Sequence, residues 1–303
     1  MPSLNSLQRV RKPTTRKGKK ILLAKEPKVV ENFKRKIFLT GRRASDALKN
    51  CSKDLYKISK PNAVILSKKN DILPFEDITP IERFCRNHES SVFFFTSSNK
   101  KRPNSLIIGR LFDGNLLDMV EFSVNDYKSL DEYSASIPTN TKPCLVFSGE
   151  LWEQSQELQK VKSLLVDVFR GEVIDAIRPQ GLEHVLMFTA TTESILMRSY
   201  KILLKKSSTK LPRVELEDLG PHVDLALKRV KFASDDLMKR ACRTPQEAKS
   251  KPKKNISKDA LGTTHGRVHM GKQDVTTIQT RKMKGLKKSA AEKKVARKKK
   301  AAA

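Results

Sequence analysis

The distribution of charge divides this 303-residue chain into three parts that differ in what they can fold into. Residues 44–238 carry 27 basic and 27 acidic side chains and therefore have no net charge. Residues 1–43 have a net charge of +12 and residues 239–303 one of +17, which accounts for the +29 of the whole chain. A neutral body between two cationic arms is typical of proteins that bind a polyanion.

The body and the arms also differ in how much apolar surface they can bury. The 195 residues of the neutral part are enough for one large domain or two small lobes. The C-terminal arm, 239–303, contains no Phe, Tyr or Trp. Since such a segment cannot offset the entropy lost on ordering, we predict that it is largely disordered until it binds RNA. We assign 1–25 to a basic N-terminal arm and 26–238 to the body, whose two halves are about 26–135 and 141–238.

Apolar periodicity predicts an α/β body in which two units have a similar order of elements. Helical spacing predicts helices over 27–37, 45–58, 79–85 and 152–170, the third starting with a capping box at Thr79. A polar connector is expected around 125–142. Apolar or alternating runs predict strands at 63–66, 92–96, 106–112, 116–122, 144–147, 185–190, 194–204, 213–219 and 223–228. For 223–228, a short helix remains the alternative.

Motifs that would indicate catalysis or a cofactor are incomplete. Four isolated cysteines form no CxxC pair, which argues against a zinc site and suits a reducing compartment. His265 and His269 have the spacing of a metal-binding helix, but Gly266 stands in the general-base position. The segment 266–272 resembles a Walker A loop, yet Gln273 replaces its Ser or Thr. We therefore expect no cofactor, no metal, no small-molecule substrate and no enzymatic activity, and the absence of 18 consecutive apolar residues predicts no membrane span.

Two basic clusters of the body are candidate RNA contacts. Lys100, Lys101 and Arg102 form the densest cluster, in a predicted loop (97–104) between two strands. They either contact phosphates or form an ordinary solvated hairpin loop, and the sequence favours neither. Lys205 and Lys206 follow a strand, where a charge run is more often a soluble turn. Tyr200, within that strand, would stack on a base or, more commonly, pack in the core.

The C-terminal arm supplies the remaining candidate RNA contacts. Because it has no aromatic ring to stack on bases, phosphate contact should dominate. Residues 255–274 contain three glycines and two adjacent threonines, a complexity that suggests a defined path on a partner rather than a simple charged tail. The RNA-binding candidates in this arm are Lys254, Arg267, Lys272, Arg281, Lys282, Lys284, Lys287 and Lys288.

Several of these segments resemble the Brix-domain family of ribosome assembly factors. Its general features are present in 195–200 (ILMRSY) and 214–221 (VELEDLGP). Five further stretches are similar to one branch of the family, and the resemblance covers roughly 20–288, the C-terminal arm included: 99–110, 117–121, 198–207, 262–274 and 279–288.

The resemblance implies a fold and a role. The fold would be two α/β halves related by a pseudo-twofold, each similar to an anticodon-binding domain. The role would be that of a nucleolar, non-enzymatic factor for the large (60S) ribosomal subunit. Together with a second factor, the regulator of ribosome synthesis, it would bring the 5S ribonucleoprotein (5S rRNA with its ribosomal proteins) into pre-60S particles, where it also contacts large-subunit rRNA.

Two alternatives remain open on the residues alone. Basic arms can bind duplex DNA as well as RNA, so the first alternative is a chromatin or DNA-binding protein. An RNA-modifying enzyme with an unrecognised site is the other. Basic clusters in both arms could additionally serve as nuclear or nucleolar addresses.

Overall fold

The computed structural model describes residues 13–136, 138, 141–172, 174, 176–178, 181–208, 211–245, 248, 253–273 and 287–302. The chain divides into two compact units, Met1–Ala248 and Lys249–Ala303. Among the described residues, the buried core lies entirely in the first unit.

The first unit mixes helices and strands, which confirms the predicted α/β class. Helix α1 (Arg16–Lys25) precedes its first half, and α6 (Asp235–Ala241) follows its second half. The first half contains β1 (Lys36–Gly41), α2 (Asp46–Ser59), β2 (Ala63–Asn70), α3 (Thr79–Asn87), β3 (Val92–Asn99), β4 (Arg102–Phe112), β5 (Asn115–Lys128) and a 3₁₀ turn (Leu130–Glu132). The second half contains β6 (Cys144–Ser148), α4 (Leu151–Gln154), α5 (Gln156–Phe169), β7 (His184–Ala190), β8 (Ile195–Lys205), β9 (Arg213–Asp218) and β10 (His222–Lys231).

All ten strands form one mixed sheet with an internal symmetry. Its order is β2-β1-β3-β4-β5-β10-β8-β7-β6, and β9 pairs with β8 beside β10. The series β1, α2, β3, β4, β5 is repeated as β6, α5, β7, β8, β10, with the first strand pair parallel and the later ones antiparallel in each half. Because β5 and β10 pair antiparallel at the centre, the two halves are related by a pseudo-twofold, as the resemblance implied.

One face of the sheet carries the main core. Buried residues of α2 and α5 pack there, and the rings of Phe38 and Phe94 stack with their centroids 4.3 Å apart. Helix α3 covers the opposite face in the first half through Ile81 and Cys85. The second half has no counterpart of α3 in its described residues, because α4 and α5 both contribute to the first face. Several apolar side chains of the second face therefore remain exposed.

The helix predicted over 27–37 is wrong. Residues 27–35 form no helix, and Val29 and Val30 are exposed. Ile37 instead belongs to β1, which lies between β2 and β3 and buries Phe38 and Leu39 on its two faces. Tertiary burial of the 37–39 run outweighs the helical spacing of the residues before it.

Two predicted helix features also differ. The N-cap of α3 is Ile78, not Thr79, and its Glu82 carboxylate accepts the Leu116 N–H at 2.8 Å instead of closing a capping box. The helix predicted over 152–170 is interrupted at Ser155, whose extended backbone and side chain cap α5.

The strand predictions are confirmed with changed lengths and surroundings. Strand β2 lies at one edge of the sheet and is only half-buried. Strand β5 extends through residue 128 into the predicted connector, because this segment pairs with β10. That pairing also resolves residues 223–228 as strand.

Candidate nucleic-acid interface

The densest basic cluster of the body lies at the tip of the β3–β4 hairpin. Asn99 pairs with Arg102, so the connection is a tight turn of Lys100 and Lys101 rather than the long loop predicted over 97–104. Phe93 and Phe95 are buried on one face of β3, the strand that leads to the tip. The sheet thus holds this turn at its base.

The three cations of this turn are available to a partner. Lys100, Lys101 and Arg102 are exposed, and none of them forms an ion pair with another residue in the described ranges. The hairpin is further tied to α2, because the Ser45 hydroxyl donates a 2.8 Å hydrogen bond to Asn104 Oδ1. The cations are therefore presented from a fixed support, which suits contact with phosphate groups.

The second basic cluster of the body is partly neutralised. Lys205 and Arg213 both contact the carboxylate of Glu215 on the paired strand β9. The hydrogen bonds from Lys205 and Arg213 lower the pKa of Glu215 and so keep its negative charge. Lys206 is exposed and carries no such pair among the described residues. Of the two candidates, Lys206 is the one free to contact a phosphate.

The fold does not bring the two clusters of the body together. Strand pairing gives a common reference row across the sheet: Ser105 of β4 pairs with Ser123 of β5. The next residue of β5, Val124, pairs with Leu225 of β10, which pairs with Ile195 of β8. Measured from this row toward the same end of the sheet, Arg102 lies about three residues along β4 and Lys205 ten residues along β8. The two residues are therefore about 23 Å apart along the strands and about 14 Å apart across the sheet. A single phosphate cannot contact both clusters.

The second unit contains the remaining described candidates. Its elements are a hairpin of β11 (Ile256–Lys258) and β12 (Thr264–Gly266) and the helix α7 (Ala290–Ala301). Every described residue of this unit is exposed, including five candidates: Lys254, Arg267, Lys272, Lys287 and Lys288. Arg281, Lys282 and Lys284 lie outside the described residues. That the arm stays largely disordered until it binds RNA remains a prediction.

The histidines of the second unit have local partners instead of a helical arrangement. His265 Nε2 lies 3.2 Å from Asp259 Oδ2, and His269 Nε2 lies 2.8 Å from Asn255 Oδ1. Within the described part of the chain, no group of three or more His, Cys, Asp or Glu side chains is placed to hold a metal ion. None of the described helices has the length and apolar character needed to cross a membrane.

Tyr200 lies on the open second face of the sheet, half-buried. Its ring centroid is 5.9 Å from that of His222, which in turn is 5.0 Å from Tyr133. Arg198, on the same face, forms a 2.7 Å ion pair with Asp224. Tyr200 is therefore not fully buried in the core, and its ring is tilted against that of His222. That it stacks on a base remains a prediction.

Sequence reasoning missed a buried ionic cluster that joins the two halves. Arg110 Nε donates to Asp118 Oδ2 at 2.9 Å, and its Nη1 contacts Asp167 of α5. Burial alone would lower the pKa of Arg110, but the hydrogen bonds and charges of the two carboxylates raise it. The signal in the sequence is weak, because Asp167 is 57 residues from Arg110 along the chain and only the fold brings the two together.

Two buried thiols and one buried histidine are held in neutral forms. Burial raises the pKa of the Cys51 and Cys85 thiols to about 12, so neither is a thiolate near neutral pH. Burial also lowers the pKa of His184 to about 4, and this side chain contacts the Ser199 hydroxyl at 2.9 Å. These side chains serve packing in the described structure.

Comparison with known proteins identifies the family. The sequence model of the Brix domain matches residues 41–229, from the last residue of β1 into β10. The chain belongs to the Brix-domain family. The match spans nearly all of the large sheet, which is therefore the Brix domain of this chain.

The similarity to known proteins continues beyond both ends of the Brix-domain match. A ribosome production factor 2 homolog of Drosophila melanogaster is 48% identical over 297 residues, which cover 97% of this chain and 93% of that protein. Its counterpart in Homo sapiens is 47% identical over 264 residues, covering 87% and 86%. The crystal structure of a probable ribosomal biogenesis protein from Aeropyrum pernix K1 aligns with a TM-score of 0.42 and 12% identity, covering 66% of this chain and 99% of that one.

Proposed function

We propose that this Brix-domain chain is a non-enzymatic assembly factor of the large (60S) ribosomal subunit. It binds rRNA and helps to recruit the 5S ribonucleoprotein into pre-60S particles, which supports maturation of large-subunit rRNA. The observation that carries this proposal is the 48% identity to a ribosome production factor 2 homolog over 97% of the chain. This similarity includes the cationic arms as well as the Brix domain.

The exposed cations support RNA as the partner. The β3–β4 turn supplies three cations without an ion pair among the described residues, and the C-terminal unit supplies more on a surface where no described residue is buried. Neutralising phosphates releases counterions, so binding through such cations should weaken steeply as salt increases. The proposed RNA partners are 5S rRNA and large-subunit rRNA.

The open second face of the sheet supports a protein companion. Val146, Leu204, Val214 and Leu216 are exposed there, in the half whose described residues lack a counterpart of α3. Strand β6 also ends the sheet, and an unpaired edge can accept an added strand. We assign this region to the regulator of ribosome synthesis, and the 5S-particle ribosomal proteins are the further proposed partners.

The proposed location is the nucleus and its nucleolus. Basic clusters of both arms suit nuclear import and retention by RNA. A fluorescent fusion of the full chain should concentrate in nucleoli, and loss of the nucleolar signal on removing both arms would support this role. Uniform cytoplasmic fluorescence of the full chain would contradict it.

Salt dependence tests the RNA-binding role of the C-terminal unit. Deleting Lys249–Ala303 should weaken binding to 5S rRNA and flatten the log–log salt dependence by about 0.7–0.9 for each phosphate that the protein no longer neutralises. Binding would be measured by fluorescence anisotropy over a series of salt concentrations that spans the physiological range. An unchanged slope would reject this assignment.

The β3–β4 turn is tested by charge reversal at Lys100, Lys101 and Arg102 together (K100E/K101E/R102E). We expect RNA affinity to fall while the melting temperature stays unchanged, because the three side chains are exposed. The matched control is K53E/K68E/K69E, which reverses three exposed lysines elsewhere in the first half. Equal effects of the two triple variants would favour the solvated-loop interpretation.

Competition distinguishes the remaining functions. Structured 5S rRNA should displace the labelled RNA at a lower concentration than duplex DNA of equal length. Preference for the DNA would favour the chromatin-binding alternative, and turnover on rRNA would favour an enzyme. A pull-down with the companion factor, 5S rRNA and its ribosomal proteins tests recruitment directly.

A further inference from the structure

The hairpin of β11 and β12 is held together by polar side chains. Asp259 Oδ1 accepts the Leu261 and Thr263 N–H groups, each at 3.0 Å, and Asp259 Oδ2 contacts His265. Gly262 closes the turn with a φ of +82°, which favours glycine. At the open end, the Asn255 side chain contacts His269, and the Asn255 carbonyl accepts the Arg267 N–H at 2.6 Å.

These polar contacts replace a hydrophobic core. All described residues of 253–273 are exposed, and an isolated two-stranded hairpin is only marginally stable in water. The carboxylate of Asp259 is therefore central to the turn, since it satisfies two backbone donors and one side chain at once.

The charge of the hairpin and its flanking residues, together 253–273, is almost entirely available to a partner. Asp259 is the single acidic residue of 253–273, and its carboxylate is engaged within the hairpin. The same stretch has five cations, and none forms an ion pair with the described residues: Lys253, Lys254, Lys258, Arg267 and Lys272.

One face of the hairpin admits close approach of another backbone. Strand register places Ile256 opposite Gly266 and Lys258 opposite Thr264, so these four residues share a face, while Ser257 and His265 share the other. A Cβ added at Gly266 would meet nothing within 4 Å, and its φ is outside the left-handed region. The hairpin itself therefore does not require glycine there, and glycine in a strand is often a point where a ligand or another backbone comes close.

We propose that residues 255–269 form a pre-organised hairpin that docks the ribose-phosphate backbone of a structured RNA against the face containing Gly266. This inference rests on the proposed RNA-binding function and adds a defined docking element to it. The cations supply attraction, and the fixed turn supplies shape. The arm then binds as a folded element over this segment instead of as diffuse charge.

Two substitutions of Asp259 in the full-length chain separate shape from charge. D259N and D259A remove the same negative charge, but asparagine keeps the Oδ1 acceptor that closes the turn. A purely electrostatic arm would bind 5S rRNA equally well with either substitution. The hairpin proposal expects D259A to bind about fivefold more weakly than D259N, the size expected when a capping hydrogen bond is removed. Affinities within about twofold of each other would overturn it.

A second pair of variants tests the docking face. G266V adds a branched side chain where the free hairpin has space, and it raises strand propensity, so the hairpin should persist. S257V adds a similar side chain on the opposite face. We expect G266V to lower the affinity for 5S rRNA about tenfold or more, the size expected when a specific contact is removed, with S257V within about twofold of the unchanged chain. Equal affinities of the two variants would overturn the proposal.

The deletion of Lys249–Ala303 distinguishes this inference from the function on which it rests. If the deletion leaves RNA affinity unchanged, the RNA-binding role of the unit fails. If the deletion weakens binding but G266V and D259A do not, only the docking hairpin fails. Loss of ribosomal-protein binding by G266V with RNA affinity intact would overturn the proposal in favour of a protein contact.

Discussion

Single buried charges join distant parts of the Brix domain. Arg110 of β4 and Asp118 of β5 are 7% and 1% exposed, and Arg110 also reaches Asp167 of α5. The second carboxylate oxygen of Asp118 accepts the Ala233 N–H at 2.8 Å, after β10. This cluster thus connects the first half, helix α5 of the second half and the chain that follows β10.

Removing one charge of this pair should destabilise the domain strongly. D118N keeps an acceptor for Ala233 but leaves the buried Arg110 with fewer compensating charges. We expect the free energy of unfolding to fall by about 3 kcal/mol, measured by urea denaturation. E193Q, at an exposed carboxylate, is the control and should change it by less than about 0.5 kcal/mol. A decrease below about 1 kcal/mol for D118N would contradict the role assigned to the pair.

His184 should make the domain sensitive to mild acid. Burial lowers its pKa from 6.5 to about 4. Between these two pH values, His184 is therefore protonated in the unfolded chain but neutral in the folded chain. The associated stability is complete above about pH 6.5 and is lost as pH falls toward about 4, by up to about 3 kcal/mol.

Urea denaturation of the unchanged chain and of H184Q between about pH 7 and about pH 4.5 measures this sensitivity. The variant should show a shallower decline, whereas H88Q, at the half-buried His88, should behave like the unchanged chain. Parallel pH profiles for the unchanged chain and H184Q would argue against this role.

At the scale of elements, the sequence predicts what is local and misses what depends on pairing. Helix α2 is predicted closely because Ser45 caps it and Leu48, Cys51 and Leu55 recur at helical spacing. The length of β5 depends on β10, about a hundred residues later, and is missed. The same limit applies to the site: charge density predicts the β3–β4 turn, but only the pairing of β8 with β9 reveals that Glu215 neutralises Lys205.

Strand β4 contains a glycine that packing requires. A Cβ at Gly109 would lie 2.5 Å from ring atoms of Phe93 and 3.0 Å from the Asp118 carbonyl oxygen. G109A should therefore lower the free energy of unfolding by about 2 kcal/mol through overpacking. G181A is the matched control, because a Cβ there would meet nothing within 4 Å. Similar melting temperatures for the two variants would show that the strand shifts without cost.

At the scale of the whole molecule, stability and RNA affinity should be separable. The described residues of the second unit are all exposed, so they bury little surface. Deleting Lys249–Ala303 should leave the melting temperature of the Brix domain within about 2 °C of the full chain, as followed by circular dichroism. A drop of more than about 5 °C would mean that the second unit supports the folded domain.

The pairing of β5 with β10 also has a consequence for how the proposed partners would be arranged. Nine residue pairs join these strands at the centre of the sheet, so the two halves share one backbone ladder and have no hinge between them in the described residues. The cationic turn in one half and the open apolar face in the other are held at a constant spacing and angle. If the proposed partners bind these two surfaces, the domain would act as a rigid spacer: binding of one partner would set the orientation of the other.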